Sequence, residues 1–213
     1  MDYIFANPGN MLILIKEHIQ LTIAATMLAV FVGVPIGILI NRFRALATPV
    51  IAVTGLMYLI PSLALFAVLI PILGLGIKPA IVALVMYSLL VIVRNTFTGL
   101  NVVGTELLEA ASGMGMSRWQ RLWWVELPLS LPVVMGGIRI SVVMNIGVAS
   151  IAAYIGAGGL GTLIFRGIAT VDNQLILAGA IPISLLAMAA DWLLRRTETG
   201  FRRGRSLRAL SKS

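Results

Sequence analysis

Five apolar windows, each with at most one charged residue, organise the chain: about Ile19 to Ile40, Val50 to Ile70, Leu75 to Val93, Leu129 to Tyr154 and Gln174 to Leu194. Each is long enough for the roughly 20 residues that a helix needs to cross the hydrocarbon core. None alternates apolar and polar residues with period two, which excludes an outer-membrane barrel. A helix pairs its own backbone N–H and C=O groups, which lipid cannot do. The pattern therefore predicts an all-α, polytopic membrane helix bundle of about five transmembrane helices, one domain over residues 1–194, with a basic tail over 195–213. Pro35, Pro61 and Pro182 fall inside the windows, where each removes a backbone hydrogen bond and bends its helix.

Composition agrees and adds an orientation. Hydrophobic residues make up 59% of the chain and charged ones 11%, too little polar surface to cover a soluble globule of this length. The first window is followed by Asn41-Arg42, not by a small-residue cleavage site, and a mixed-charge segment precedes it, so the first helix is expected to stay in the mature protein. If the tail is cytoplasmic, that side receives Arg42, Arg44, Arg94, Arg118, Arg121, Arg195, Arg196, Arg202, Arg203, Arg205, Arg208 and Lys212, while the other receives Lys16, Lys78 and Arg166. The positive-inside rule then places the N-terminus outside. The net charge of +8 is on this reading a topology signal, with contact between the tail and anionic lipid, and no nucleic acid is implied.

Candidate chemistry is sparse. The chain has no cysteine and a single histidine, His18, so no thiolate or multi-histidine metal site is expected. No carboxylate pair and no Ser-Lys or Ser-His pair sits in a span, which argues against intramembrane hydrolysis. The buried Asp, Glu or His groups that proton- or sodium-driven carriage uses are scarce. Arg139 and Asp191 are the charges nearest membrane depth, each close enough to a predicted cytoplasmic end to snorkel. Ser141, Asn145 and Ser150 mark a polar seam on the fourth helix that lines a path or joins helices. Gly156-x-Gly158-x-x-Gly161 spells a dinucleotide motif but follows an apolar helix, not a strand, and reads instead as a tight extracytoplasmic turn. No Gly-x4-Gly-Lys-Ser/Thr phosphate loop occurs, so ATP-driven work would need a separate ATPase.

One connection, Arg94 to Pro128, is long, polar and helical in its signals. Thr105 is placed to cap a turn through Glu106-Leu107-Leu108-Glu109-Ala110-Ala111, with acids facing the positive end of the helix dipole. Gly113 and Gly115 end that turn. Ser117-x-x-Gln120 reads as a capping box for a second short helix through Trp124, which Pro128 stops. Trp119, Trp123 and Trp124 are placed as an interfacial anchor.

At Glu109-Ala110-Ala111-x3-Gly115-x9-Val125-x-Leu127-Pro128 the chain resembles the EAA loop of binding-protein-dependent ABC importer permeases, with Val125 where that family usually has Ile. Wider segments resemble the branch that carries osmoprotectants and quaternary amines such as glycine betaine, choline and carnitine. These are Ile60-Pro61-Ser62-Leu63-Ala64, Arg94-Asn95-Thr96-Phe97-Thr98-Gly99, Gly113-Met114-Gly115-Met116-Ser117, Gly136-Gly137-Ile138-Arg139 and Tyr154-Ile155-Gly156-Ala157-Gly158-Gly159-Leu160-Gly161.

The resemblance implies a type I ABC importer permease fold in a bacterial inner membrane. It implies a knob, with Glu109, Ala110, Ala111, Gly113, Gly115, Leu127 and Pro128, that docks as a coupling helix on ABC ATPase subunits. ATP and Mg would be bound by that partner, and this chain would bind no cofactor and be no enzyme. A second permease subunit, identical or homologous, and an extracytoplasmic substrate-binding protein complete the expected assembly. Pro61, Ser62, Asn145, Ser150, Tyr154, Gly158 and Gly159 are candidates for the path or gate. Substrate recognition is expected largely on the binding protein, since aromatics in the spans are few: mainly Phe31, Tyr58, Phe66, Tyr87 and Tyr154. The alternatives are a permease for methionine or another amino acid, and an ATP-independent channel or secondary carrier.

Overall fold

The computed structural model describes residues 7–210, with side chains described to residue 198. Among the described residues every regular element is helical. Helix α1, Pro8–Arg42, carries proline in its first turn, where the missing N–H has no helical acceptor to lose. It takes Lys16, Glu17 and His18 into the helix ahead of the apolar window.

After a 3-10 turn at Arg44–Leu46, helix α2, Ala47–Leu59, and helix α3, Ser62–Leu73, meet at 97°. The single span expected over Val50 to Ile70 is thus a broken pair. The residue before a proline is pushed out of the α region, and here Ile60 (ψ 125°) and Pro61 (ψ 138°) are both extended. Pro35 and Pro182, by contrast, sit inside helices that continue past them.

Helix α4 spans Ile77–Asn101, and the long connection folds into α5, Thr105–Gly113, and α6, Arg118–Arg121. A π turn at Leu122–Glu126 carries α6 directly into α7, Leu127–Ala152. Pro128 therefore does not stop the second short helix: it occupies the first turn of α7, and the widened turn before it leaves room for its ring. Helix α8, Gly161–Thr170, lies in a segment where no apolar window predicts an element. Asp172 then caps α9, Asn173–Leu210, accepting the N–H groups of Gln174 and Leu175 at 2.9 and 3.3 Å. Among the described residues four helices are long and apolar enough to cross a membrane, and the bent α2–α3 pair makes a fifth if it is one span.

Cross-links fix the two ends. Arg44 donates to Asn101 Oδ1 at 3.0 Å, joining the last residues of α4 to the turn after α1. Gly76 donates to the carbonyl of Ile155 at 2.8 Å, joining the start of α4 to the end of α7. Helices α1 and α4 thus run in the same direction, from a glycine end that holds residues 156–161 to a knob end that holds α5 and α6, while α7 runs back against both.

Lipid supplies little hydrophobic drive for helix association, so close packing must hold the bundle. Small residues provide it: a β-carbon on Gly37 would fall 2.5 Å from Thr96 Cβ, and one on Gly137 would fall 2.5 Å from Asn95 Cβ. Three apolar clusters accompany these contacts, and beside Gly37 Ile40, Ala47 and Val93 join α1, α2 and α4. Leu21, Ala25, Leu65, Phe66, Leu84 and Ala149 join α1, α3, α4 and α7. Met11, Leu14, Ile146, Leu163 and Leu175 join α1, α7, α8 and α9.

Candidate functional site

The knob is built by three terminators in succession. Helix α5 starts at Gly104, whose carbonyl accepts from Leu107 and Leu108, and no side chain caps it. Thr105, expected as the cap, is instead the first helical residue, one position too late for its hydroxyl to serve the orphan N–H groups. At the other end Met114, Gly115 and Met116 donate back to Ala110, Ser112 and Ala111, and Gly115 takes φ 78°, the left-handed angle that closes such an end. The capping box at Ser117 and Gln120 is present in both directions, 2.8 and 3.3 Å.

Surface and interior divide sharply here. Glu106, Glu109, Ala110, Gly113 and Gly115 are exposed, whereas Ala111 is 2% exposed and faces inward. Of the two alanines expected to admit a partner, only Ala110 is on the open face. Trp119, Trp123 and Trp124 are all exposed, the first two stacked at 6.4 Å between ring centroids. Pro128 is exposed and Leu127 partly buried at the base of the knob.

A strut ties these pieces together. Arg121 donates through Nε to Glu126 Oε1 at 2.9 Å and through Nη1 to Ser112 Oγ at 3.0 Å, and Ser112 Oγ donates to the Leu108 carbonyl at 2.7 Å. Glu126 is buried at 8% exposure, so its charge needs this partner. The strut links α5 to the π turn at the foot of α7. Sequence reading missed it because residues five apart lie on different faces of an α-helix, and only the π turn brings them together.

The second expected group is split by depth. Asn145 and Ser141 are fully buried, and Asn145 Nδ2 donates to Thr26 Oγ1 at 3.1 Å. They join α7 to α1. Ser150 turns its hydroxyl back to the Gly147 carbonyl at 2.6 Å. Pro61 and Ser62 lie at the α2–α3 break. Tyr154 is 68% exposed and packs on Phe165 at 5.4 Å.

Gly158 and Gly159 form the tight turn expected of them, both at φ 79°. That turn is gripped from α1: Gly159 donates its N–H to Glu17 Oε2 at 2.8 Å, and His18 lies under it with Nε2 3.0 Å from the Ile146 carbonyl. Glu17 is a functional candidate that its position in a short mixed-charge segment did not single out. Arg139, expected with Asp191 as one of the two charges nearest membrane depth, is shared between Asp191 at 3.4 Å and Glu198 at 3.6 Å on α9.

An all-helical bundle with an exposed two-helix knob narrows the comparison with known proteins. The pattern of the binding-protein-dependent transport system inner membrane component family matches residues 29–203. The chain belongs to that family. This permease is 50% identical over 203 residues to the osmoprotectant import permease protein OsmW of Salmonella typhimurium, covering 93% of this chain and 94% of that one. It is 41% identical over 198 residues to the glycine betaine/carnitine/choline transport system permease protein OpuCB of Bacillus subtilis, covering 93% and 91%. Among solved structures, an inward-facing form of the MetNI methionine ABC transporter superposes with a TM-score of 0.77 at 21% identity over 87% of this permease and 93% of that chain. An amino acid ABC transporter crystallised with histidines gives 0.75 at 16% identity, over 92% and 96%. At these identities the structural likeness establishes the permease fold and no substrate. The permease is a transporter subunit, not an enzyme.

Proposed function

We propose that this permease is the membrane path of an ATP-driven importer for osmoprotectants that carry a quaternary ammonium group, such as glycine betaine, choline or carnitine. What carries the substrate class is the 50% identity, over nearly the whole of both chains, to an osmoprotectant import permease. What carries the coupling is the exposed Glu109–Ala110 face held on a knob that is fused to α7.

In this reading the knob end is cytoplasmic and the N-terminus outside, as the excess of Arg at the knob end favours. ABC ATPase subunits bind ATP and Mg and receive the knob, with Glu109 offering a carboxylate to partner cations or N–H groups. A second permease subunit, a copy or a homologue, faces this one, and an extracytoplasmic binding protein delivers substrate. ATP drawing the ATPase subunits together moves the knobs, and α7 carries that motion to the glycine end, opening the path outward. The knob must bind the two ATPase states unequally, since equal affinity shifts nothing.

The test is uptake of labelled glycine betaine into vesicles holding this permease with its co-purified partners, with and without ATP. ATP-dependent uptake that Gly115→Trp abolishes, with the permease still folded, is the expected result. Uptake independent of ATP and of the ATPase subunits would sink the coupling, and an active assembly that carries amino acids but no quaternary amine would sink the substrate class.

A further inference from the structure

Among the described residues, one apolar helix pair is broken within the bundle: α2 and α3, at Ile60 and Pro61. Non-helical backbone at membrane depth is tolerated only where protein buries it or a cavity receives it. Here it borders a cleft of about 300 Å³ walled by Tyr58, Leu59, Ile60, Pro61, Tyr87 and Met144, at the small end of the ~300–1,000 Å³ that ligand pockets occupy.

Two tyrosines shape that cleft. Tyr87, midway along α4 and 5% exposed, donates its hydroxyl to the Ile60 carbonyl at 2.6 Å, which closes the broken end of α2. Tyr58 stands edge to face against it, centroids 6.2 Å apart and planes at 87°, and is 42% exposed. Tyr58 thus packs on a ring that burial and a hydrogen bond hold in place, and keeps part of its own surface open.

The chemistry selects a class of cation. Ring faces attract a positive charge within ~6 Å, and the last carbonyls of α2, at the negative end of its dipole, come to the same break. No carboxylate lines the cleft, so a primary ammonium with three N–H donors to satisfy would find only the Ser62 hydroxyl and the end carbonyls of α2. A trimethylammonium has no N–H donor, and its methyl groups suit Leu59, Met144 and Val148. We propose that Tyr58, packed on Tyr87, is a quaternary-ammonium waypoint on the permease itself. This rests on the osmoprotectant reading and adds selectivity to a path that the scarcity of aromatics in the sequence makes look passive.

The experiment measures ATP-dependent uptake of labelled choline and glycine betaine by the complete reconstituted importer carrying Tyr58→Phe, Tyr58→Trp or Tyr58→Leu, with assembly and substrate-free ATPase rate recorded for each. A ring at this position is what matters, so Phe and Trp should stay within about two-fold of wild type and Leu should fall about five-fold or more, with the substrate-free ATPase rate unchanged. Wild-type uptake that Leu leaves intact, or an equal loss with Phe and Leu, overturns the waypoint alone. A wild-type assembly that hydrolyses ATP yet carries no quaternary amine overturns the osmoprotectant reading and the waypoint with it.

Discussion

At the knob end, Gly115 turns the chain at φ 78° with nothing within 4 Å of where a β-carbon would sit; at the other end, Gly159 turns it at φ 79° with His18 Nδ1 3.1 Å from the same position. The two glycines answer the same backbone demand under different surroundings. The knob's glycine shapes a surface and leaves it open, as a docking element needs. The other turn is a packed joint, held by the Glu17 carboxylate on one side and the His18 ring on the other. A left-handed angle alone thus says nothing of role; what presses on the missing side chain does.

That contrast can be broken from either end. The largest effect is expected at the packed joint: Gly159→Ala combines the left-handed penalty of about 1–2 kcal/mol with a contact that His18 must yield to. Thermal unfolding of the purified permease in lipid nanodiscs should shift sharply downward, and an unchanged midpoint would mean the joint is soft. Next comes the strut. Arg121→Glu leaves buried Glu126 facing like charge, and uptake should drop by about ten-fold or more. The double exchange with Glu126→Arg should restore most of it, and a double variant no better than the single one refutes the strut.

Smaller is Gly115→Ala, which carries the backbone penalty of ~1–2 kcal/mol without any clash. Knob docking, read as co-purification of the ATPase, should survive it and fail only with Gly115→Trp. The smallest is Glu17→Gln, which keeps an oxygen for the Gly159 N–H and loses only the charge, worth about 0.5–1.5 kcal/mol. Uptake should fall no more than about three-fold, whereas Glu17→Ala, which removes the acceptor, should approach Gly159→Ala in the same melting assay.

Much of this arrangement was legible in the sequence because apolar runs and capping residues act locally. The windows located the long helices, Ser117 and Gln120 gave the capping box, and the glycine turn announced itself by composition. The failures have a common cause: each depends on geometry that spacing does not encode. Pro61 breaks a span where Pro35 does not, because Ile60 and Pro61 are both extended while the chain around Pro35 stays helical. The π turn that keeps Pro128 inside a continuous helix is invisible to a 3.6-residue period, and so is the Arg121–Glu126 pair that it creates. Asn145, read as lining a path or joining helices, does join them, but its partner Thr26 lies 119 positions away and could not be named from spacing.

The π turn has one more effect. Because it welds α6 to α7, the run from Arg118 to Ile155 is a single 38-residue rod, ~57 Å long at 1.5 Å per residue. A rod of that length is a lever. A small tilt imposed at the tryptophan-studded end becomes a larger sideways stroke at the far tip, and the far tip leads straight into the turn that Glu17 holds. If the rod tilts as one piece, the hydrogen bond from Gly159 to Glu17 is where its travel first meets resistance.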